Sequence, residues 1–138
     1  MSGVARLSFS IEKSLLDRLE KLVKEGRYEN RSEFIRDLIR GRLVEQEWEH
    51  DKEAVGTITM LYDHHRRGLS EKLTEVQHGF HHDILASTHI HLDHALCAEI
   101  VIVRGRASRL KELAALLRRH KGVLHAALSI SSTGKKLT

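Results

Sequence analysis

The sequence is poor in three residue types: its 138 residues include one cysteine, no proline and few aromatics. A single cysteine cannot form an internal disulfide, which fits a reducing cytoplasm and leaves a thiol free to bind metal. Aromatic residues make up 4% of the chain, so a core built from its 41% apolar residues must be aliphatic. We expect a cytoplasmic protein of about one average domain or two very small ones.

Membrane insertion and secretion are not expected. No apolar run approaches the roughly 18 residues that a membrane-spanning helix requires. The N-terminus, MSGVARLSFSIEK, lacks the apolar segment of a secretory signal peptide. The chain has no proline- or serine-rich linker, internal repeat or low-complexity run, so nothing indicates a third domain.

The first fifty residues predict one short strand and two helices. Residues 6–11 alternate polar and apolar side chains, as a half-buried strand does, and Ser10 can cap the helix that follows. Apolar residues then recur at helical spacing until Gly26, which offers a stop. Asn30 with Glu33 resembles a capping box and predicts the start of a second helix.

One strand and two helices are too few to bury a core, and a lone strand has an unpaired edge. A dimer would pair two strands antiparallel and close four helices over them. Arg6, Ser8 and Ser10 would then point outward from a two-stranded ribbon that fits the DNA major groove. Residues 1–50 carry ten Lys/Arg and ten Asp/Glu, so DNA binding there depends on placed arginines. A plain dimerisation module is the alternative.

The segment RLSFSI…LLDRLEKLV…YENRSEFIRDLIR resembles the ribbon-helix-helix repressor family, with NRSE and IRD as its helix-turn signature. The resemblance implies that bases are read by Arg6, Ser8 and Ser10. It also implies that a phosphate is held at the start of the second helix by Asn30, Arg31 and Ser32. Helix N-termini bind anions, which gives this second role a physical basis. The motif does not distinguish a metabolic repressor from an antitoxin.

The charged stretch EQEWEHDKE separates these residues from a second predicted domain, and we place the boundary near residue 50, giving domains 1–50 and 51–138. The second domain follows the order βαββαβ, which is typical of the ferredoxin-like fold, so the whole chain is α+β. Its predicted elements are a strand at residues 54–62, a helix from Leu69 whose apolar face reaches Ile84, strands at 88–92 and 96–104, a helix at 108–121 and a strand at 123–130.

The stretch from Gln77 to Ile102 holds six of the eleven histidines and the only cysteine. His89 and His91 are two residues apart, so on a strand they share a face. If the two strands form a hairpin with a three-residue loop, His91 lies opposite Cys97. Two imidazoles and a thiolate are an incomplete set of metal ligands. The alternative is exposed polar strand positions and a small buried thiol.

A fourth ligand must come from elsewhere, and His78 is the candidate. It lies on the predicted helix away from the apolar face, so it could reach the metal of a neighbouring subunit. Three imidazoles and one thiolate suit Ni(II) or Cu(II) in a plane and Zn(II) in a tetrahedron, and spacing does not decide between them. Glu99 lies on the same strand face as Cys97. It either contacts the metal ligands and orients them, or it is a solvated strand residue. A polar stripe through His78, with His64 or His65, could bind extra metal weakly, but a solvated face is the simpler interpretation.

A βαββαβ domain after a ribbon-helix-helix module, with the motif QH(x10)HxH(x5)C, resembles the nickel-responsive transcriptional repressors, whose C-terminal regulatory domain is ACT-like. The resemblance implies one Ni(II) per subunit in a square plane, bound by His89, His91 and Cys97 of one subunit and His78 of another. It implies a homotetramer, a dimer of dimers. The tetramer would bind a palindromic DNA operator when nickel is bound and repress nickel uptake.

The resemblance also assigns roles to charged residues. Arg66 and Arg67 lie in the loop before the His78 helix, which would order when nickel binds and bring them to the DNA backbone. From the residues alone, a solvated basic loop is the simpler interpretation. Glu33 and Asp37 would help hold a potassium-like cation between the domains, or else form a surface pair with nearby arginines.

No nucleophile and base fall in a catalytic arrangement, and four protein ligands leave no open position on the metal for hydrolysis, so we predict that the chain is not an enzyme. Three alternatives to a nickel repressor remain. One is the same architecture sensing copper, cobalt or zinc, and another is an ACT-type module that binds a small metabolite. The third is a metal buffer whose N-terminal module only dimerises.

Overall fold

A computed structural model describes residues 3–138, which form two compact units. One unit comprises the described chain as far as Leu43 together with Lys136–Thr138, and the other is Val44–Lys135. The helices and strands in chain order are α1 (Lys13–Glu25), α2 (Arg31–Glu49), β1 (Glu53–Asp63), α3 (Leu69–His78), β2 (Ile84–His91), β3 (Leu96–Arg106), α4 (Ala107–Arg118) and β4 (Val123–Ile130). Within residues 3–138, no helix is long and apolar enough to cross a membrane. The domain boundary near residue 50 stays a prediction.

The first unit differs from the sequence prediction at residues 6–11. Residues 6–11 form no strand in the single chain. A strand needs a neighbour for its backbone N–H and C=O groups, and no segment of the described chain pairs with this one. Leu7 and Phe9 are 81% and 60% exposed. These residues therefore keep their alternating sequence, but they have no neighbouring strand in the described chain.

Helix ends in the first unit follow local hydrogen bonding. α1 begins after Glu12, and no side chain caps it, so the prediction that Ser10 is its cap is wrong. The N–H of Gly26 closes the helix by donating to the Leu22 carbonyl oxygen at 2.9 Å. The cap of α2 is confirmed, because Asn30 Oδ1 accepts the N–H of Glu33 at 2.9 Å.

The first unit buries very little. Among its described residues only Val23 is buried. Four large apolar side chains of its helices are about half exposed: Leu15, Leu22, Leu38 and Ile39. A helix pair with so much apolar surface in water has not completed a core.

The second unit has the predicted βαββαβ order, with an antiparallel sheet in the order β2-β3-β1-β4. One face of the sheet forms the core with α3 and α4. The core is mainly aliphatic, as predicted, and includes Ile58, Val101, Leu110, Leu113 and Leu117. Strands β1 and β3 lie side by side at the centre, so residues at their ends are neighbours although far apart in sequence.

The long helix predicted from Leu69 to Ile84 is wrong in its second half. α3 ends at His78, and the N–H of Gly79 donates to the Glu75 carbonyl oxygen at 3.3 Å. Ile84 instead begins β2, where it pairs with Val103. Its spacing fits both the apolar face of a helix and the first inward position of a strand, so periodicity alone could not separate the two.

The turn between α3 and β2 is anchored by Asp83, the one buried charged residue in the described part of the chain. Arg109 of α4 donates to Asp83 Oδ2 through Nε at 2.9 Å, with Nη2 of the same side chain 2.8 Å away. The Arg109 guanidinium also lies over the Phe80 ring, 4.9 Å from its centroid. These contacts connect α4 to the turn that immediately precedes β2.

Candidate metal centre

The β2–β3 hairpin brings His91 opposite Cys97, as predicted, and Cys97 Sγ lies 3.4 Å from His91 Nδ1. The turn is stabilised by Asp93, whose Oδ1 accepts the N–H groups of Ala95 and Leu96 at 2.8 and 2.7 Å. These two donors lower the pKa of the Asp93 carboxyl, which therefore stays ionised at the turn. Two hydrogen bonds thus fix the turn next to the candidate ligand atoms of His91 and Cys97.

Cys97 is fully buried and pairs with Tyr62 of β1 on its other side. Burial raises the pKa of its thiol, and the negative charges of Asp93, Glu99 and Asp63 raise it further. The thiol therefore carries its proton at neutral pH, and a metal ion that binds the sulfur must displace that proton.

His89 pairs with Glu99 across the hairpin, and its Nδ1 lies 3.5 Å from the Tyr62 hydroxyl oxygen. The Tyr62 hydroxyl donates to Glu99 Oε2 at 3.4 Å, and Gln77 Nε2 donates to Glu99 Oε1 at 3.3 Å. Burial, followed by the charge of Glu99, raises the pKa of Tyr62 to about 12, so it remains a donor. Glu99 thus accepts hydrogen bonds from Tyr62 and Gln77 beside His89, one of the candidate ligands.

The sequence predicted at most weak extra metal binding for His64, but the structure places His64 beside His91 and Cys97. It follows β1, and one ligand atom from each of His64, His91 and Cys97 lies within 4.8 Å of the other two. The His64 N–H donates to the Ala95 carbonyl oxygen at 3.0 Å, which holds it against the hairpin turn. Only the strand order could have predicted this position for His64. Because β1 pairs with β3, the residues after Asp63 lie beside Cys97.

His78 is not part of this group. It is exposed at the end of α3 and stacks on His81, with ring centroids 5.6 Å apart and planes 22° apart. It lines a surface groove with Thr74, Gln77 and Ile84 rather than the space beside Cys97. The predicted role of His78 as a ligand from another subunit stays a prediction.

The donor set fits a transition metal of the late first row. Imidazole nitrogens and a thiolate sulfur are the ligands that nickel, copper and zinc accept, whereas carboxylate-rich sites suit magnesium and calcium. Nε2 of His64 is buried without a hydrogen-bond partner, and the close Sγ–Nδ1 approach places two further donors beside it. Metal coordination would satisfy these atoms together.

The residues predicted to contact DNA occupy three places in the chain, two in the first unit and one in the second. The exposed segment 3–12 carries Arg6, Ser8 and Ser10, and the first turn of α2 carries Arg31 and Ser32 after the Asn30 cap. Arg31 pairs with Glu20 of α1. In the second unit, a cavity of about 370 Å³ is lined by Arg66, Arg67, Leu69, Lys72, Arg119, His120 and Lys121. Gly122 has φ +98°, and the Arg66 side chain occupies the space that a Cβ there would need.

The two candidate cation ligands of the first unit already have partners. Glu33 pairs with Arg36, and Asp37 accepts a hydrogen bond from the Tyr28 hydroxyl. This bond, more than burial, raises the pKa of Tyr28, so its hydroxyl stays protonated as a donor.

Two family models match the chain. Residues 5–46 match the ribbon-helix-helix protein, copG family, and residues 55–131 match the NikR C terminal nickel binding domain. The second match contains every hairpin residue considered above, together with His64 and His78.

Similar proteins match along the whole chain. One from Solibacter usitatus is 48% identical over 138 residues, covering 99% of both chains, and one from Desulfotalea psychrophila is 47% identical over 132 residues, covering 96% of this chain and 97% of its own. Both carry the name of a candidate nickel-responsive regulator. The structure of an uncharacterized Thermotoga maritima protein is similar in fold alone: TM-score 0.53, 15% identity, 57% of this chain and 98% of that chain. The chain belongs to the family of nickel-responsive transcriptional regulators, with a ribbon-helix-helix DNA-binding domain and a C-terminal nickel-binding domain.

Proposed function

We propose that this protein is a repressor that binds a palindromic operator when it holds Ni(II), one ion per subunit, and that it controls nickel uptake in the cytoplasm. The observation that carries the proposal is the pairing of His91 with Cys97 beside His89 on one hairpin. The nickel ligands are His89, His91 and Cys97 of one subunit and His78 of another. Glu99 supports them through Tyr62. All four ligands come from protein, so the proposal includes no catalysis.

The link from metal to DNA runs through α3. This helix has only ten residues, and it begins directly after the loop that carries Arg66 and Arg67. A metal bond at His78 restrains one end of the helix and thereby its other end. The basic cavity lined by Arg66, Arg67, Lys72, Arg119 and Lys121 offers several cationic groups to phosphate. Nickel binding and DNA binding are then reciprocally coupled.

The DNA-reading element is a ribbon formed by two copies of the first unit. The unpaired segment with exposed Leu7 and Phe9 supports this arrangement, as do the half-exposed apolar side chains of both helices. Pairing two such segments covers their edges and apolar faces. Arg6, Ser8 and Ser10 then read bases, while Asn30, Arg31 and Ser32 contact a phosphate at the helix start.

A potassium-like cation at Glu33 and Asp37 completes the proposal for the first unit. Their two carboxylates lie one turn apart on α2, which suits shared coordination of a cation. Such an ion would compete with Arg36 and Tyr28, their present partners.

Two such dimers associate through the second unit. Ile100 and Ile102 alternate with the buried Val101 and Val103 of β3 and so lie on the sheet face opposite the core. Ile90 pairs with Ala98, which lies on the same outer face. Ile90 and Ile102 are 45% and 37% exposed, and burying this face against another copy would remove apolar area from water. Each chain then contacts one copy through its first unit and another copy through its second unit. Two contacts of this kind give a tetramer, a dimer of dimers.

We expect Ile102→Glu to convert the tetramer to dimers, because two facing copies would bury like charges without partners. Sedimentation equilibrium of the full chain measures the change in mass. Ile102→Val is the conservative control, and Lys111→Glu places the same new charge on an exposed position of α4. A tetramer that persists in Ile102→Glu would place the contact elsewhere.

The proposed function is tested by selecting DNA with the protein itself. Reduced protein, kept free of oxygen, is mixed with random duplex DNA with and without one equivalent of Ni(II) per chain, and bound DNA is sequenced. We expect an inverted repeat to be enriched only with nickel. For that duplex, nickel should raise affinity by about 100-fold at fixed salt, near the upper range of allosteric coupling. Equal binding with and without nickel would leave a DNA-binding protein that nickel does not regulate.

A further inference from the structure

We propose that the first turn of α4 couples the predicted nickel site to α2, the helix whose start carries the predicted phosphate contacts. Two side chains hold this turn: Asp51, which follows α2, and Arg109, which reaches the turn before β2. Both are positioning residues, because neither belongs to the predicted metal or DNA contacts. This inference rests on the proposed nickel switch and names how one chain links its two binding functions.

The end of α2 lies in the second unit and is fixed there by hydrogen bonds. The Trp48 side chain is 3% exposed, and its Nε1 donates to the Ser131 carbonyl oxygen at 2.8 Å. The N–H of Lys52 donates to the Glu47 carbonyl oxygen at 2.9 Å, which closes the last turn of the helix. α2 is one continuous helix of 19 residues, so a restraint at this end acts on the same helix as the predicted phosphate contacts at its start.

Asp51 connects this end of α2 to the start of α4. Its Oδ1 accepts the N–H of Ser108 at 2.7 Å, and the Lys52 carbonyl oxygen accepts the N–H of Ala107 at 3.1 Å. Arg106, which precedes α4, provides no side-chain cap, so the capping oxygen comes from Asp51 instead. The backbone of Asp51 has φ +52°, a left-handed conformation that costs energy in a non-glycine residue and that these contacts hold in place. The hydrogen bonds from Ser108 lower the pKa of the Asp51 carboxyl, so its negative charge is present at the N-terminus of α4.

Arg109, the next residue of α4, reaches the turn between α3 and β2. Its guanidinium pairs with Asp83, which is 7% exposed, and lies over the Phe80 ring. The Asp83 carbonyl oxygen also accepts the N–H of Arg104 at 2.7 Å. This turn lies between His78 at the end of α3 and the predicted ligands on β2. A metal ion that restrains α3 and β2 therefore restrains the turn that Arg109 contacts.

The two attachments share one turn of a buried helix. Ser108 and Arg109 are adjacent in sequence. Ala107 and Leu110, on either side of them, are fully buried in the core. Close-packed elements resist deformation, and hydrogen-bond networks and rigid helices carry coupling between distant sites. A restraint on α3 and β2 therefore acts on Arg109, on the first turn of α4 and, through Asp51, on the end of α2.

The test is the nickel-dependent gain in DNA affinity, measured in the full chain on the duplex recovered with nickel-loaded protein. We expect Asp51→Gly and Arg109→Gln to reduce this gain from about 100-fold to about fivefold or less, near the lower end of the usual range of coupling. Glycine removes the capping carboxylate and also relieves the left-handed backbone, so its effect is that of the lost contact. Nickel affinity without DNA should change by less than about threefold in both variants, because neither residue contacts the metal.

Matched variants separate coupling from stability. Asp51→Asn keeps an acceptor oxygen at the cap, and Arg118→Gln removes an exposed arginine from the last turn of the same helix. Both should keep the gain of about 100-fold. The double variant, Asp51→Gly with Arg109→Gln, should lose no more of the gain than either single variant, because both act through one turn. Thermal unfolding of the metal-free variants checks the fold, and if Arg109→Gln does not fold, Asp51→Gly decides the question.

Two results in these measurements would overturn the inference. One is an unchanged gain in Asp51→Gly. The other is a loss of nickel affinity that parallels the loss of the gain, because the turn would then only stabilise the metal site.

Amide hydrogen exchange provides a readout that does not depend on DNA. In the wild-type protein, nickel should slow exchange in residues 80–83, 107–109 and 44–52 by about fivefold or more. In Arg109→Gln the effect should reach residues 80–83 but not residues 44–52. Exchange in residues 44–52 that nickel leaves unchanged in the wild-type protein would also overturn the inference.

Failure of this coupling and failure of the repressor function are distinguishable. If nickel slows exchange in this way but does not raise DNA affinity, the proposed function fails and the coupling through α4 stands. If nickel raises DNA affinity equally in the wild-type protein and in both variants, the coupling through α4 fails and the proposed function stands.

Discussion

Replacing Cys97 with serine should abolish tight nickel binding, and with it the nickel-dependent gain in DNA affinity. Cys97 supplies the only thiolate, and a serine hydroxyl neither ionises near neutral pH nor offers a soft donor. Metal sites with four protein ligands are worth about 10–16 kcal/mol in small domains, so one ligand accounts for roughly a quarter. We therefore expect affinity to fall by about 10²- to 10³-fold.

An anaerobic nickel titration followed by ultraviolet and visible absorption measures this effect. The wild-type protein should bind one equivalent per chain with thiolate charge-transfer bands, and Cys97→Ser should show neither. Lys111→Ala is the control, because Lys111 is an exposed residue of α4, outside the hairpin and outside the proposed contact face. If Cys97→Ser kept both affinity and bands, the thiol would not be a ligand and the nickel assignment would fail.

Replacing Arg6 with alanine should remove specific DNA binding while leaving nickel affinity unchanged. A bidentate contact from arginine to a base is worth about 1–3 kcal/mol, and a symmetric dimer makes it twice. The expected loss is then about 2–6 kcal/mol per dimer, or between roughly 30-fold and 10⁴-fold in affinity. The measurement is binding to the duplex recovered with nickel-loaded protein, at fixed salt.

Arg18→Ala provides the control for Arg6, since Arg18 is an exposed arginine of α1 outside the proposed ribbon. It should bind the same duplex as well as the wild-type protein does. A metal buffer that only dimerises would bind nickel tightly and have no specific DNA affinity in any of the three proteins. Unchanged binding by Arg6→Ala would remove the ribbon from the DNA interface.

The parts of the fold predicted from sequence were those with a strong local pattern. Two short apolar runs, separated by a predicted three-residue loop, indicated the pairing of His91 with Cys97, and side-chain spacing predicted the Asn30 cap. The end of α3 was missed, because Ile84 fits a helix face and a strand start equally well. The strand predicted at residues 6–11 is not formed in the single chain, because its predicted partner is the same segment of a second copy and no other segment of the described chain pairs with it.

The candidate metal site was predictable to the extent that it lies on one hairpin. His64 comes from a segment more than thirty residues before Cys97, and only the pairing of β1 with β3 brings the two together. The spacing of residues along the sequence does not predict this pairing, because the sequence of one strand does not show which other strand will lie beside it. The ligand roles of His78, His89, His91 and Cys97 stay predictions, and that of His78 also depends on a second copy of the chain.

The burial of Cys97 has a further consequence for the lifetime of the protein. Peroxides and alkylating reagents attack the thiolate, and a buried thiol with a raised pKa offers little of that form and little access. We therefore expect peroxide to oxidise the Cys97 thiol of the metal-free protein more slowly than an exposed cysteine. The burial of Cys97 thus has two expected effects: a metal ion must displace the thiol proton, and the thiol of the metal-free protein is protected from oxidation and alkylation.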